Sequence, residues 1–311
     1  MEGNMHMLWR GNANAWECDE LGHLNARFYL AKAQKAVAEL ADRLGMRSAF
    51  TASASATLII REAQIRFLAE AHPGAPLTIR GGVINHDDTS ATVAMIMEHA
   101  GSVQPAATFE IRLDHAAPGC GHAFAWPQRS RNALQAVSIE RPGLLDTRSL
   151  SEARPSPFKS VNMADALGLQ EIGRGRIDPD ELDAFNRMRV EFAIGKISDS
   201  VNHFSEGLPE QWSAFAENTP LTVSSAVLET RLAFHRLPTM GEGYMIRSGL
   251  KTASEKVRTL VHWALDPTNG EPLWSMEAVA CILNLKTRKL EPAAPDRLES
   301  LQACIKPGLV F

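Results

Sequence analysis

Slid against itself by 164 residues, the chain lays "GNANAWECDELGHLNARFYLAKAQKAV", from Gly11, over "GRIDPDELDAFNRMRVEFAIGKISDSV", from Gly175, without a gap. Gly11, Glu17, Asp19, Phe28, Lys32 and Val37 recur as Gly175, Glu181, Asp183, Phe192, Lys196 and Val201. Farther along the offset becomes 167, and Glu62, Phe67, Gly74, Ile79, Arg80 and Gly82 return as Glu229, Phe234, Gly241, Ile246, Arg247 and Gly249. A repeat of this length restricts the architecture more than any local propensity, because two like units must each bury a like face.

Each copy carries a helical stripe. Ala26, Leu30, Ala33, Val37, Leu40 and Leu44 match Val190, Ile194, Ile197, Val201, Phe204 and Leu208 at spacings of three and four. The second stripe predicts a helix over residues 188–204. In the first copy Lys32, Lys35, Glu39 and Asp42 form the opposite, polar stripe, and Gly45 stands where a helix stop belongs.

Such helices need an apolar partner, and runs that read as strands follow them: 57–71, 76–84, 90–100 and 106–114, then 222–238, 243–253, 256–265 and 272–286. The last run of the first half alternates cleanly, Ala107, Phe109, Ile111 and Leu113 against Thr108, Glu110 and Arg112. Each half therefore reads strand, helix, then four antiparallel strands, an α+β class. We expect a first repeat over 1–115 and a linker over 116–170, rich in Pro, Gly and Ser, with a short helix near 160–169. Too long for an ordinary loop, the linker is expected to wrap across the sheets. A second repeat follows over 171–311, ending in a helix near 294–304.

Composition excludes several classes. A net charge of −4 gives no basic surface for nucleic acid. "MEGNMHMLWRGN" lacks the charged start and apolar run of a signal peptide, and no stretch is long enough to span a membrane, so a cytoplasmic location is expected. Cys18, Cys120, Cys281 and Cys304 lie far apart and read as buried free thiols. His and Cys never cluster at ligand spacing, so neither metal nor other cofactor is expected. "GRGRID" lacks the Gly-Lys-Ser/Thr ending of a phosphate loop.

The densest chemistry lies in "WECDELGHLNARFYL", residues 16–30, a turn that runs into the first helix. Asp and Asn there are favoured helix caps, and acids suit a helix N-terminus. The helix-and-sheet repeat resembles the hotdog fold, and two copies in one chain resemble a double hotdog, a fused pseudo-dimer. "ECDELGHLNARFYL" is similar to the signature of acyl thioesterases in that superfamily, with Asp19, Gly22, His23, Asn25 and Tyr29 in the matching places. "IIREA" is similar to the Arg-Glu segment of plant acyl-carrier-protein thioesterases, which implies a role in the site for Glu62. Two features depart from those plant enzymes: Leu21 stands where they carry Asn, and the fuller motif lies here in the first repeat, where theirs lies in the second.

The resemblance implies hydrolysis of an acyl-CoA or acyl-carrier-protein thioester. Asp19 would act as base or nucleophile, with His23, Asn25 and Glu62 as further catalytic candidates. The helix start, through the amides from Asn25 to Ala26 and Arg27, would polarise the carbonyl, and Gly22 and Tyr29 complete the substrate-binding candidates. In the second copy Asp183 and Glu229 remain, but Asn186, Arg187 and Arg189 replace Gly22, His23 and Asn25. That copy therefore reads as degenerate. A non-catalytic acyl-thioester binding module and a hotdog dehydratase or hydratase are the alternatives. A homodimer of double hotdogs is left open.

Overall fold

A computed structural model describes residues 5–19, 21–102 and 104–311. It divides into two compact units. The first holds the described part of Met1–Thr147 together with Asp183–Glu191; the second holds Arg148–Leu182 and Phe192–Phe311. The linker is thus not a separate body, and the turn starting at Asp183, placed in the second repeat by sequence, groups with the first unit.

In the first unit β1 (His6–Asn12) leads to α1 (Ala26–Arg43), followed by β2 (Thr57–Phe67), β3 (Pro76–His86), β4 (Ser90–His99), β5 (Gln104–Ala116) and α2 (Gln128–Ala136). The strands pair antiparallel in the order β1-β3-β4-β5-β2. The second unit runs α3 (Val161–Ala166), β6 (Gln170–Arg176), α4 (Glu191–Ser198, its first residue grouping with the first unit), α5 (Pro209–Ala216), β7 (Val223–Phe234), β8 (Gly243–Ala253), β9 (Arg258–Leu265), β10 (Pro272–Asn284) and α6 (Pro295–Ala303). Its order, β6-β8-β9-β10-β7, repeats that of the first. Of the helices, α2 and α5 were not foreseen.

Helix α1 follows its stripe. Leu30, Ala33, Val37, Leu40 and Leu44 are buried. Gly45, at φ +75°, closes a Schellman stop in which the Met46 amide donates to Ala41 and the Gly45 amide to Asp42. Helix α4 is a correction: the helix expected over 188–204 spans Glu191–Ser198 and gives way to a 3₁₀ turn at Val201–His203. Gly195 and the run Ser198-Asp199-Ser200 weaken it, since Ser and Asp compete for backbone partners; the Ser200 hydroxyl donates to the Lys196 carbonyl at 2.8 Å.

Lys32 is a second correction. It is not on a polar face but 1% exposed, its Nζ 2.6 Å from Glu17 Oε2 and 5.2 Å from the Trp9 ring centroid. The second unit repeats this, with Lys196 Nζ 2.6 Å from Glu181 and 4.7 Å from the Tyr244 ring. The repeated glycines belong to the same arrangement, because a Cβ at Gly11 would strike the Trp9 ring and one at Gly175 the Tyr244 ring. Three of the recurring identities are therefore one device, a buried ion pair roofed by an aromatic that only glycine admits.

The cysteines are all free; Cys281 is buried, Cys120 is exposed, and Cys18 and Cys304 lie between. Among the described residues no helix is long and apolar enough to cross a membrane.

Candidate active site

The turn before α1 is built from its own carboxylates. A 3₁₀ turn at Ala15–Glu17 is closed by a capping box, with the Asn14 amide donating to Glu17 Oε2 at 2.9 Å. The chain then folds back on itself. The Asp19 amide donates to the His23 carbonyl at 2.8 Å and the Gly22 amide to the Asp19 carbonyl at 3.0 Å. Gly22 takes φ +77°, a left-handed conformation. Asp19 Oδ1 accepts the amides of Leu21 (3.0 Å) and His23 (3.2 Å). Its Oδ2 has no hydrogen-bond partner among the described residues.

Asn25 is the helix cap, its side chain accepting the Arg27 amide at 3.0 Å while its own amide donates to the Glu17 carbonyl at 2.9 Å. Of the three helix-start amides proposed from sequence, two are therefore engaged. That of Ala26 has no hydrogen-bond partner among the described residues, and it lies at the positive end of an 18-residue helix. Tyr29 packs edge-on against Phe67, ring centroids 5.1 Å apart, and is 4% exposed. Burial pushes its phenol up to about 12, with a backbone hydrogen bond at Ala71 offsetting only part of the shift. It keeps its proton and serves as packing.

The loop after β2 completes the site with two residues that sequence reasoning missed. The Leu24 amide donates to the Ala71 carbonyl at 2.8 Å, which ties that loop to the turn. His23 Nε2 then lies 3.0 Å from Glu70 Oε2, and the His72 ring meets the His23 ring at 5.2 Å. His23, Glu70 and His72 form a compact group although their spacing along the chain signals nothing. Spacing along the chain could not reveal this group, because the fold assembles it from distant segments.

Glu62 is not brought to this turn. Beyond a bulge after Ile60, Ala63 and Ile65 are fully buried and Phe67 reaches Tyr29 of α1. The alternate residues, Glu62, Gln64 and Arg66, face the other side of the sheet. There Gln64 and Arg66 donate to the carbonyls of Leu145 and Leu144, and Glu62 lies 3.9 Å from Arg112. Five residues of strand, about 17 Å, also separate Glu62 from Phe67. Its repeat partner Glu229 likewise meets the linker, accepting the amides of Arg148 (3.1 Å) and Ser149 (3.2 Å).

The second turn copies the first in its backbone. Asp183 Oδ1 accepts the amides of Phe185 (2.8 Å) and Arg187 (3.0 Å), and Asn186, at φ 61°, stands where Gly22 does. The side chains differ in one decisive respect. Arg187 grips Asp183 Oδ2 through Nε (3.2 Å) and Nη2 (3.1 Å), so neither oxygen of that carboxylate is left over.

The profile of the thioesterase-like superfamily matches residues 13–133 and 177–301, most of both units. The chain belongs to the thioesterase-like superfamily. Three solved structures are similar to this superfamily member. One, a Lactobacillus plantarum protein assigned as an oleoyl thioesterase, has a TM-score of 0.67 at 12% identity over 89% of this chain and 96% of that one. The 12:0-ACP thioesterase from Umbellularia californica gives 0.64 at 9%, over 89% and 93%. An acyl-ACP thioesterase from Bacteroides thetaiotaomicron gives 0.62 at 8%, over 89% and 97%. No curated protein sequence matches. At these identities the likeness establishes the fold, two tandem hotdog repeats, and the site rests on this member's own residues.

Two further features of the member stand apart from the sequence-derived candidates. A surface groove along β1, β3 and β4, lined by Arg10, Asn12, Thr78, Arg80, Glu98 and His99 among others, includes none of the turn's residues. Its Arg80 is tied to both oxygens of Glu98, at 3.0 and 2.8 Å. Glu191, grouped with the first unit, is 4% exposed, and burial raises its carboxyl against the pull of Arg189, Arg27 and Lys35. No signal in the sequence marked it.

Proposed function

We propose that this chain hydrolyses an acyl-CoA or acyl-carrier-protein thioester to free acid and thiol at the Asp19 turn. The observation that carries the reading is the contrast between the two turns: among the described residues Asp19 keeps an oxygen without a hydrogen-bond partner, whereas Arg187 occupies the equivalent oxygen of Asp183. A thioester carbonyl placed at the helix start accepts from the Ala26 amide, and the helix dipole stabilises the charge that grows on its oxygen. Asp19 Oδ2 takes a proton from the attacking water or attacks the carbonyl carbon itself; both routes need a free carboxylate oxygen. The carbon–sulfur bond then breaks, with His23, oriented by Glu70, giving a proton to the leaving thiolate; on the nucleophilic route water then hydrolyses the acyl–Asp19 anhydride to release the free acid and restore the carboxylate.

The test is a hydrolysis screen with a thiol reagent across acyl-CoA chain lengths, an acyl-carrier-protein substrate alongside. Release of free thiol from any of them supports the reading, and none released by well-folded protein sinks it. Within the active series Asp183→Ala should leave most turnover intact, because Arg187 already neutralises that carboxylate. An equal loss in Asp183→Ala and Asp19→Ala, both folded, would show the second turn to be active. Glu62→Gln is expected to leave kcat near wild type, its side chain lying across the sheet from α1; a fall as large as that of Asp19→Asn would place it in the site. His23→Ala should fall between the two.

A further inference from the structure

Hydrolysis at Asp19 has no need of His72, yet the fold places this histidine with care. His23, Glu70 and His72 each offer one ligating atom, all within 4.8 Å of one another. Main-chain hydrogen bonding fixes the two halves of the group, through the Leu24 amide and the Ala71 carbonyl at 2.8 Å. His72 Nδ1 lies 3.2 Å from the Gly22 carbonyl. A carbonyl only accepts, so Nδ1 holds the proton and the lone pair of the neutral ring sits on Nε2. Metal-ligating histidines are held in this way, the second nitrogen donating to a backbone carbonyl or a carboxylate. His23 Nε2 and Glu70 Oε2, at 3.0 Å, are already near the roughly 3.3 Å between ligands of a tetrahedral site with bonds of about 2.0–2.1 Å. The imidazoles meet at 60° rather than stacked, ring centroids 5.2 Å apart.

We propose that His23, Glu70 and His72 form a binding site for one divalent first-row cation of the zinc class, with the fourth position open to water. Two imidazoles and a carboxylate suit zinc and its neighbours, whereas magnesium and calcium take oxygen ligands. Glu70, 48% exposed, leaves an entry path. The second repeat carries Arg187, Leu237 and Thr239 at the equivalent positions, without an imidazole or a carboxylate, so it holds no counterpart of this group. Asp19 is not in the group. An ion there holds His23 away from substrate beside the turn, and so inhibits hydrolysis; this consequence, unlike the binding, rests on the function proposed above.

The experiment is calorimetric titration of the chelator-stripped, tag-free chain with zinc chloride, which needs no turnover and so separates failure of the site from failure of the thioesterase reading. Saturable uptake of one zinc ion per chain is expected, weakened about tenfold or more by His72→Ala and by Glu70→Gln. Circular dichroism checks that each variant is folded, and Glu70→Gln, which keeps its shape, decides the matter if His72→Ala is not. Absence of saturable binding, or binding that a folded ligand variant leaves unchanged, overturns the site. With the best thioester, zinc should slow wild type and not His72→Ala; binding with no loss of rate overturns the inhibitory role.

Discussion

Asp19→Asn is expected to lower kcat on the best thioester by on the order of 10²-fold or more, the range for a lost general base. The substitution is informative because the turn uses the two carboxylate oxygens differently. Oδ1 holds the Leu21 and His23 amides, and an asparagine oxygen can do the same. What is lost is the second oxygen, which becomes an amide that can neither take a proton nor attack. Steady-state rates with matched circular dichroism check this, since loss of a capping group alone costs about 1 kcal/mol of stability. If Asp19→Asn folds normally and hydrolyses as fast as wild type, the turn is a structural cap like that of Asp183. The chain would then be better read as an acyl-thioester binding module.

Lys32→Met is expected to lower stability by roughly 3–5 kcal/mol and the thermal midpoint by on the order of 10 °C. The substitution leaves the Glu17 carboxylate buried without its cation, and a buried charge with no partner costs more than the pair contributes. Burial is the largest influence on Glu17 and raises its pKa. Hydrogen bonds from Lys32 and Asn14, with the charge of Lys32, outweigh it and hold the value below the ordinary 4.5. In wild type the carboxylate therefore contributes stability above pH 4.5 that is lost as pH falls through the depressed folded value. In the variant burial acts with less opposition and favours the protonated acid. The gap between the two proteins should be widest near neutral pH and narrow toward pH 4.5 and below, as denaturant melts at a series of pH values can show. A gap independent of pH would mean that the loss comes from the Lys32 packing against Trp9 and not from the charge.

The hotdog pattern was legible because each clue to it is local. The alternation of Ala107, Phe109, Ile111 and Leu113 describes one strand, and β8 spans the expected 243–253. The stripe of α1 with Gly45 at its end needed no tertiary knowledge either. Where local composition opposed the repeat, as at Ser198-Asp199-Ser200, local composition won and α4 ended early. The sequence hinted at the Glu17–Lys32 pair, since both residues recur in both copies, but an isolated helical wheel put Lys32 among the polar residues because it ignores where β1 delivers Trp9.

Read by itself, the sequence determined that there are two repeats, which runs are strands, where α1 starts and stops, and that Asp19 heads a turn differing from its copy at Gly22, His23 and Asn25. Backbone periods of 2.0 and 3.6 and the φ freedom of glycine act over a few residues, so one strand of text contains them. Only the tertiary structure decided that Glu62 faces away from the turn and that Arg187 closes the second carboxylate. It also decided that Glu70 and His72 join His23 from a loop nearly fifty residues downstream. A one-residue bulge in β2 sets which face each of its side chains takes, and the bond from Leu24 to Ala71 sets where its end meets the helix start. Those are matters of register between distant segments, and no spacing along a single chain encodes them.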